Sequence, residues 1–256
     1  MDIRGGRRST NVEDRRGMRI GRTGAGIGIG GVAIAIVLSL LGINPLPFLE
    51  MTQQGSQVEM QPGDQPYQES PREAQYRELA EVVLGETETT WGQQFGGQYT
   101  PARLVLYTEA TQSECGTGQA AMGPFYCPLD QRVYVDLSFF DDMQSRFRAG
   151  GDFAYAYVIA HEVGHHVQHQ LGITQKVEQV RARGNAAQTN NMSVRLELQA
   201  DCFAGVWGHH AQNARQILEQ GDVEEALNAA AQIGDDRMQM RGRGYVAPES
   251  FTHGSG

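Results

Sequence analysis

Between residues 70 and 240 the apolar positions recur mainly at helical spacing, interrupted early by two short stretches of strand character. Ser70-Pro71-Arg72-Glu73 has the form of a capping box with proline at the first helical position, and Tyr76, Leu79, Ala80 and Val83 follow one turn apart. Arg103 to Tyr107 and Arg132 to Leu137 are rich in β-branched and aromatic residues and predict strands. Ser138-Phe139-Phe140-Asp141 opens a short helix ending near Gly150. Gly150-Gly151 then break the chain, Asp152 is placed to cap, and Phe153 to Leu171 runs without proline as far as Gly172. Phe153 to Ala160 is apolar on nearly all sides, which predicts a helix buried in a domain. Asn190 to Ser193 offer caps for a helix over Val194 to His210, and Asp222-Val223-Glu224-Glu225 for an alanine-rich one over Ala226 to Met240. The tail from Arg241 is glycine-rich, and there is no internal repeat.

The first 70 residues have a different pattern. Residues 24–43 carry no charge, and twenty residues at about 1.5 Å each span about 30 Å, the thickness of a bilayer's hydrocarbon core. A single-pass anchor, a cleaved signal peptide and a glycine-rich loop all fit. The anchor is favoured because Asn44-Pro45-Leu46-Pro47-Phe48 offers no obvious cleavage site. Residues 44–70 hold Pro45, Pro47, Pro62 and Pro66 among polar residues, the composition of a linker. The expected organisation is therefore a basic cytoplasmic segment (1–23), a transmembrane anchor (24–43), a flexible linker (44–70) and one domain (71–256). That domain is α+β, mainly helical with a small antiparallel sheet.

Charge orients this arrangement. The first 23 residues hold seven arginines against three acids, which places them on the cytoplasmic side and the domain in the periplasm or outside the cell. Of the chain's 21 basic and 30 acidic residues, 14 and 27 remain beyond that segment, a net −13 that disfavours nucleic-acid binding. An oxidising compartment would permit a disulfide between Cys115 and Cys127, which lie in a loop region containing glycine and proline. Cys202 follows Asp201 within an apolar helix and is expected as a buried free thiol. No Cys-x-x-Cys pair exists to hold a metal. Oligomeric state is not encoded in any recognisable pattern.

The chemistry concentrates in His161-Glu162-Val163-Gly164-His165. Residues four apart on a helix stand one turn above each other, so His161 and His165 can address one zinc ion, with Glu162 between them as general base to a water. Gly164 costs about 1 kcal/mol of helix propensity, which suggests a closely packed neighbour. For a third ligand, His166 points about 100° away from His165, and His169 stands about 12 Å along the axis from His161. Gln168 and Leu171 occupy the positions where an extended H-E-x-x-H-x-x-G-x-x-H pattern needs glycine and histidine. Glu197 remains, on a second helix with Asp201 one turn on. A carboxylate completes a two-histidine set and leaves a position open for water, while Asp201 can accept the N–H of a ligating imidazole. The plainer alternative places both acids on a solvated helix face.

His161-Glu162-x-x-His165 followed by Glu197-Leu198-Gln199-Ala200-Asp201 resembles the gluzincin arrangement. The strings Ala160 to Gln168 and Leu196 to Gly205 resemble the bacterial putative neutral zinc metallopeptidase family, as do Asn11 to Gly17, Gly123 to Pro128 and Ser250 to Gly254. Family members continue beyond that last segment, whereas this sequence stops at Gly256. The resemblance implies a zincin-like fold and one Zn2+. It also implies an edge strand beside the motif helix that pairs with an extended peptide. Val133 to Leu137 is the candidate edge, with an ordinary core strand as the alternative. His253 could donate a hydrogen bond to the transition state, or belong simply to the chain terminus. The expected activity is that of a membrane-anchored zinc peptidase cutting peptides or proteins. An inactive zinc-stabilised extracytoplasmic binding module and a zinc hydrolase of non-peptide bonds remain as alternatives.

Overall fold

The computed structural model describes residues 1–21, 59–62 and 66–233. Its strands are β1 (Val12–Asp14), β2 (Met18–Gly21), β3 (Glu59–Pro62), β4 (Arg103–Tyr107), β5 (Ala110–Ser113), β6 (Gly116–Gln119), β7 (Phe125–Cys127) and β8 (Arg132–Asp136). Its helices are α1 (Pro71–Gln94), α2 (Ser138–Ser145), α3 (Asp152–Gln170), α4 (Ile173–Arg183), α5 (Ala186–Arg215) and α6 (Asp222–Ile233). A single 3-10 turn spans Ala120–Met122.

α1 starts where the capping box places it: the Ser70 hydroxyl accepts from the Glu73 N–H, and the Glu73 carboxylate accepts from the Ser70 N–H at 2.8 Å. The central sheet runs β1-β4-β8-β7 and is mixed, not antiparallel as expected: β1, β4 and β8 are mutually parallel and only β7 opposes β8. Period-2 alternation divides its faces. Leu104, Leu106, Val133 and Val135 join the main core with α1 and α3, whereas Val105, Tyr107, Tyr134 and Cys127 form a second cluster with Phe125. β8 lies between β4 and β7, so the segment Val133 to Leu137 is an interior strand and, among the described residues, the sheet ends at β1 and β7. Cys115 and Cys127 form a disulfide that ties the β5–β6 ribbon to β7.

Three helices depart from expectation. α3 begins at Asp152, and Asp152 does not cap it. The N-cap is Gly151 at φ 136 with no side-chain cap hydrogen bond, and the Glu225 carboxylate of α6 lies against it. A Cβ on Gly151 would lie 2.1 Å from a Glu225 carboxylate oxygen, so only glycine leaves room for this approach. α5 extends well upstream of Val194, capped by Asn185 and Gln188 in a reciprocal box. The residues expected to cap it lie inside it. Ser193, for instance, donates to the Thr189 carbonyl four residues back, a bond that satisfies the hydroxyl within a helix. α4 has no counterpart in the sequence reading.

The N-terminal segment packs against the strands and helices that follow it. β1 is hydrogen-bonded to β4, Ser9 N–H donates to the Glu81 carbonyl on α1 at 2.9 Å, and buried Arg16 pairs with Asp14 and, at 2.8 Å, with Glu69. Gly85 permits this contact, because a Cβ there would stand 2.1 Å from the Arg7 carbonyl oxygen. Residues 1–21 thus pair with β4 and contact α1, where the sequence reading set residues 1–23 apart as a basic segment before the anchor. The expected anchor at 24–43, most of the linker and His253 lie outside the described residues. Among the described residues no helix is long and apolar enough to cross a membrane. In intact cells, a cysteine introduced at exposed Thr10 and the exposed native Cys202 should react with a membrane-impermeant maleimide together or not at all; labelling of one alone would place the two segments on opposite sides.

Candidate metal centre

α3 and α5 cross antiparallel, as the pairs Phe153 with Trp207, His161 with Asp201, and Gln168 with Leu196 show. They meet at Gly164, where an added Cβ would stand 3.0 Å from the Ala200 carbonyl oxygen and 3.2 Å from its Cα. This explains a glycine in the middle of a buried helix: the missing side chain lets two backbones approach. The same approach brings together the α3 stripe of His161 and His165 and the α5 stripe of Glu197 and Asp201.

One nitrogen of each histidine and one Glu197 oxygen lie within 4.8 Å of one another. Glu197 Oε2 is 3.2 Å from His161 Nε2 and 3.4 Å from His165 Nε2. Two donors held at about 2.0–2.1 Å from one tetrahedral zinc are about 3.3 Å apart, so the spacing fits that ion. Glu162 is buried on the same helix, and its negative charge raises the His161 pKa.

The far side of each imidazole is also fixed. His161 Nδ1 meets Asp201 Oδ1 at 2.8 Å, and the Tyr157 hydroxyl donates to the same carboxylate oxygen. A carboxylate there calls for Nδ1–H and makes Nε2, which faces Glu197, the ligand atom once its own proton is displaced. His165 Nδ1 meets Gln168 Oε1 at 2.9 Å. The orientation of that amide is determined by its other end, because Gln168 Nε2 donates to the Leu196 carbonyl at 2.6 Å. His165 therefore also carries its proton on Nδ1 and presents Nε2 as a ligand.

Electrostatics agree with the donor set. Burial by itself would lower His161, but the hydrogen bonds its ring donates to Asp201 and Glu197 outweigh it and raise the ring to about 10. Burial likewise opposes ionisation of Asp201, yet the contact with His161 holds its pKa below the ordinary value. Buried carboxylates around two imidazoles demand a cation, and zinc can replace the proton in that role.

His161, His165, Glu197 and Asp201 thus come together as the sequence predicts, with Glu162 beside them. His166 stays out: it is buried between the Tyr126 hydroxyl at 3.0 Å and the Thr100 carbonyl at 2.7 Å. Cys202, expected buried, is exposed, since the position after Asp201 turns off the seam. Tyr157 and Gln168 were missed as functional residues. Their positions, one turn before His161 and three residues after His165, were the available signal.

The family model of the putative neutral zinc metallopeptidases matches residues 1–256. The chain belongs to that family. Uncharacterized protein YpfJ of Escherichia coli K12 is 49% identical over 264 aligned residues, covering 100% of this chain and 91% of its own. Uncharacterized protein Rv2575 of Mycobacterium tuberculosis H37Rv is 42% identical over 167 residues, covering 61% of this chain and 55% of its own. No solved structure matches the chain.

Two substitutions test the geometry of this family member. Gln168→Ala should weaken zinc affinity about 10- to 100-fold in a chelator competition while leaving saturating stoichiometry unchanged. Gly164→Val should destabilise the domain by about 1–3 kcal/mol in urea denaturation through overpacking against Ala200.

Proposed function

We propose that the protein is a zinc-dependent peptidase whose metal ligands are His161, His165 and Glu197 and whose general base is Glu162. The observation that carries this reading is the convergence of two oriented Nε2 atoms and a buried carboxylate oxygen beside a second buried glutamate. Zinc, when bound, supplies Lewis-acid chemistry, acidifying a water to a pKa of about 7 and polarising a carbonyl. Glu162 takes the proton of the attacking water and returns it to the departing amine, so that peptide-bond cleavage needs no other acid. Asp201 and Tyr157 hold His161, and Gln168 holds His165, so the two rings do not turn during the reaction. The free edge of β7 is where an extended peptide would add its backbone. In support, β7 ends the sheet and touches α3 through Tyr126 and His166.

The proposal extends to an extracytoplasmic location, supported by the Cys115–Cys127 disulfide. Contact with the membrane through the apolar stretch 24–43 is supported by its composition.

Glu162→Gln should retain one zinc per chain by elemental analysis and lose about 10²- to 10⁴-fold in turnover. Undiminished hydrolysis by a pure preparation would remove Glu162 from its role. One zinc per chain in a wild-type protein that cuts nothing in a broad peptide library would favour a zinc-stabilised binding module.

A further inference from the structure

Phe125 to Cys127 make up the whole of β7, and a proline stands immediately before and after them, at Pro124 and Pro128. Proline has no N–H to donate, so a strand added along this edge finds a ladder about three residues long. Among the described residues nothing pairs with the side of β7 that faces away from β8. The three side chains of β7 are already committed. Phe125 stacks on Tyr134 with ring centroids 4.8 Å apart, Cys127 is in the disulfide, and the Tyr126 hydroxyl meets His166 Nδ1 at 3.0 Å, one residue after the ligand candidate His165. The edge therefore offers an incoming chain only backbone groups, and few of them. So short a ladder holds a peptide weakly, because each bond only replaces one to water. Beyond the two prolines the first large side chains are apolar and open to solvent: Met122 is 61% exposed and Leu129 is 67% exposed. One such residue needs no explanation, whereas two that bracket a single unpaired edge stand where an added strand would run past them.

We propose that the β7 edge, Met122 and Leu129 form one docking surface for unfolded polypeptide, so that the substrates are unstructured protein segments with apolar residues at both ends of the docked stretch. The inference rests on the peptidase reading above. A folded protein does not fit this surface, because its backbone groups are paired and its large apolar side chains are mostly buried. An unfolded segment presents both at once. Spacing sets its length. Leu129 is seven positions after Met122, at most about 25 Å of chain, so an extended segment of about seven residues reaches both side chains and a tetrapeptide reaches one. The surface selects apolar character and little else. Methionine is unbranched and polarizable and adapts to partners of different shape, and three backbone positions read no side chain.

Because both side chains are exposed, replacing them tests the surface without opening the core. The full-length, zinc-loaded wild type should cut reduced, carboxamidomethylated ribonuclease A at least 100-fold faster in kcat/KM than the native form. The pair Met122→Ser and Leu129→Ser should raise KM for the unfolded chain at least tenfold, with a much smaller change in kcat, and the pair Met122→Leu and Leu129→Met should restore it. Independently of turnover, the fluorescein-labelled unfolded chain should bind zinc-loaded Glu162→Gln by fluorescence anisotropy, and the serine pair added to that variant should weaken binding at least tenfold. Equal cleavage of native and unfolded forms, or a KM that the serine pair leaves intact, overturns the docking surface and leaves the peptidase reading standing. Binding that the serine pair abolishes, in a wild type that cuts nothing, supports the surface and overturns the peptidase reading. Neither binding nor cleavage overturns both. A wild-type dimer in sedimentation that the serine pair converts to monomer assigns the edge to a second copy of the chain and overturns the proposal.

Discussion

The contact between Gly164 and Ala200 is the constraint on which the rest of the site depends. Two helices whose backbones come this close cannot shift by a side chain's width without losing the register that faces His161 with Asp201 and His165 with Glu197. A larger residue at either position would move the Glu197 carboxylate away from both rings. The price in helix propensity is about 1 kcal/mol, small against the packing of two buried helices around it.

Around that crossing, charge and hydrogen bonding are arranged in opposite senses on the two sides of each ring. The outer nitrogens are committed to acceptors, Asp201 and Gln168, and the inner ones converge on Glu197. This layout decides which nitrogen of each ring faces Glu197. It also makes the centre electrostatically incomplete, as the raised His161 shows: with Asp201 and Glu197 on either side, the ring keeps a proton where a divalent ion could sit. Gln168 links the two requirements, since the amide that orients His165 also fastens α3 to the backbone of α5.

The same economy appears farther out. Glu225 of α6 lies against Gly151 at the N-terminus of the motif helix, and the segment before residue 22 completes the sheet and packs on α1 across Gly85. Elements distant in sequence thus hold the two ends of the helix bundle whose middle carries the ligands. β7, tied by its disulfide and touching α3 through Tyr126, brings a free strand edge beside the same helix.

How much of this could be read in advance follows from the range of each interaction. The ligand stripes were legible because they are local: four residues make one turn, so His161 with His165 and Glu197 with Asp201 are fixed once each segment is helical. The capping box at Ser70 is local in the same way. Gly164 announced a close neighbour without naming Ala200. The rest depends on pairing across tens of residues, which period and propensity do not encode. A strand such as Arg132 to Leu137 looks alike at an edge or in the middle, and the partner added beside it decides. The arginine-rich start was read from its charge, and its pairing of β1 with β4 is a contact of the same long-range kind. The sequence by itself determined which side chains could bind a metal, because helix geometry is set within one turn. Only the tertiary structure decided which groups cap, orient and enclose them, because those partners come from segments that meet only when the chain is packed.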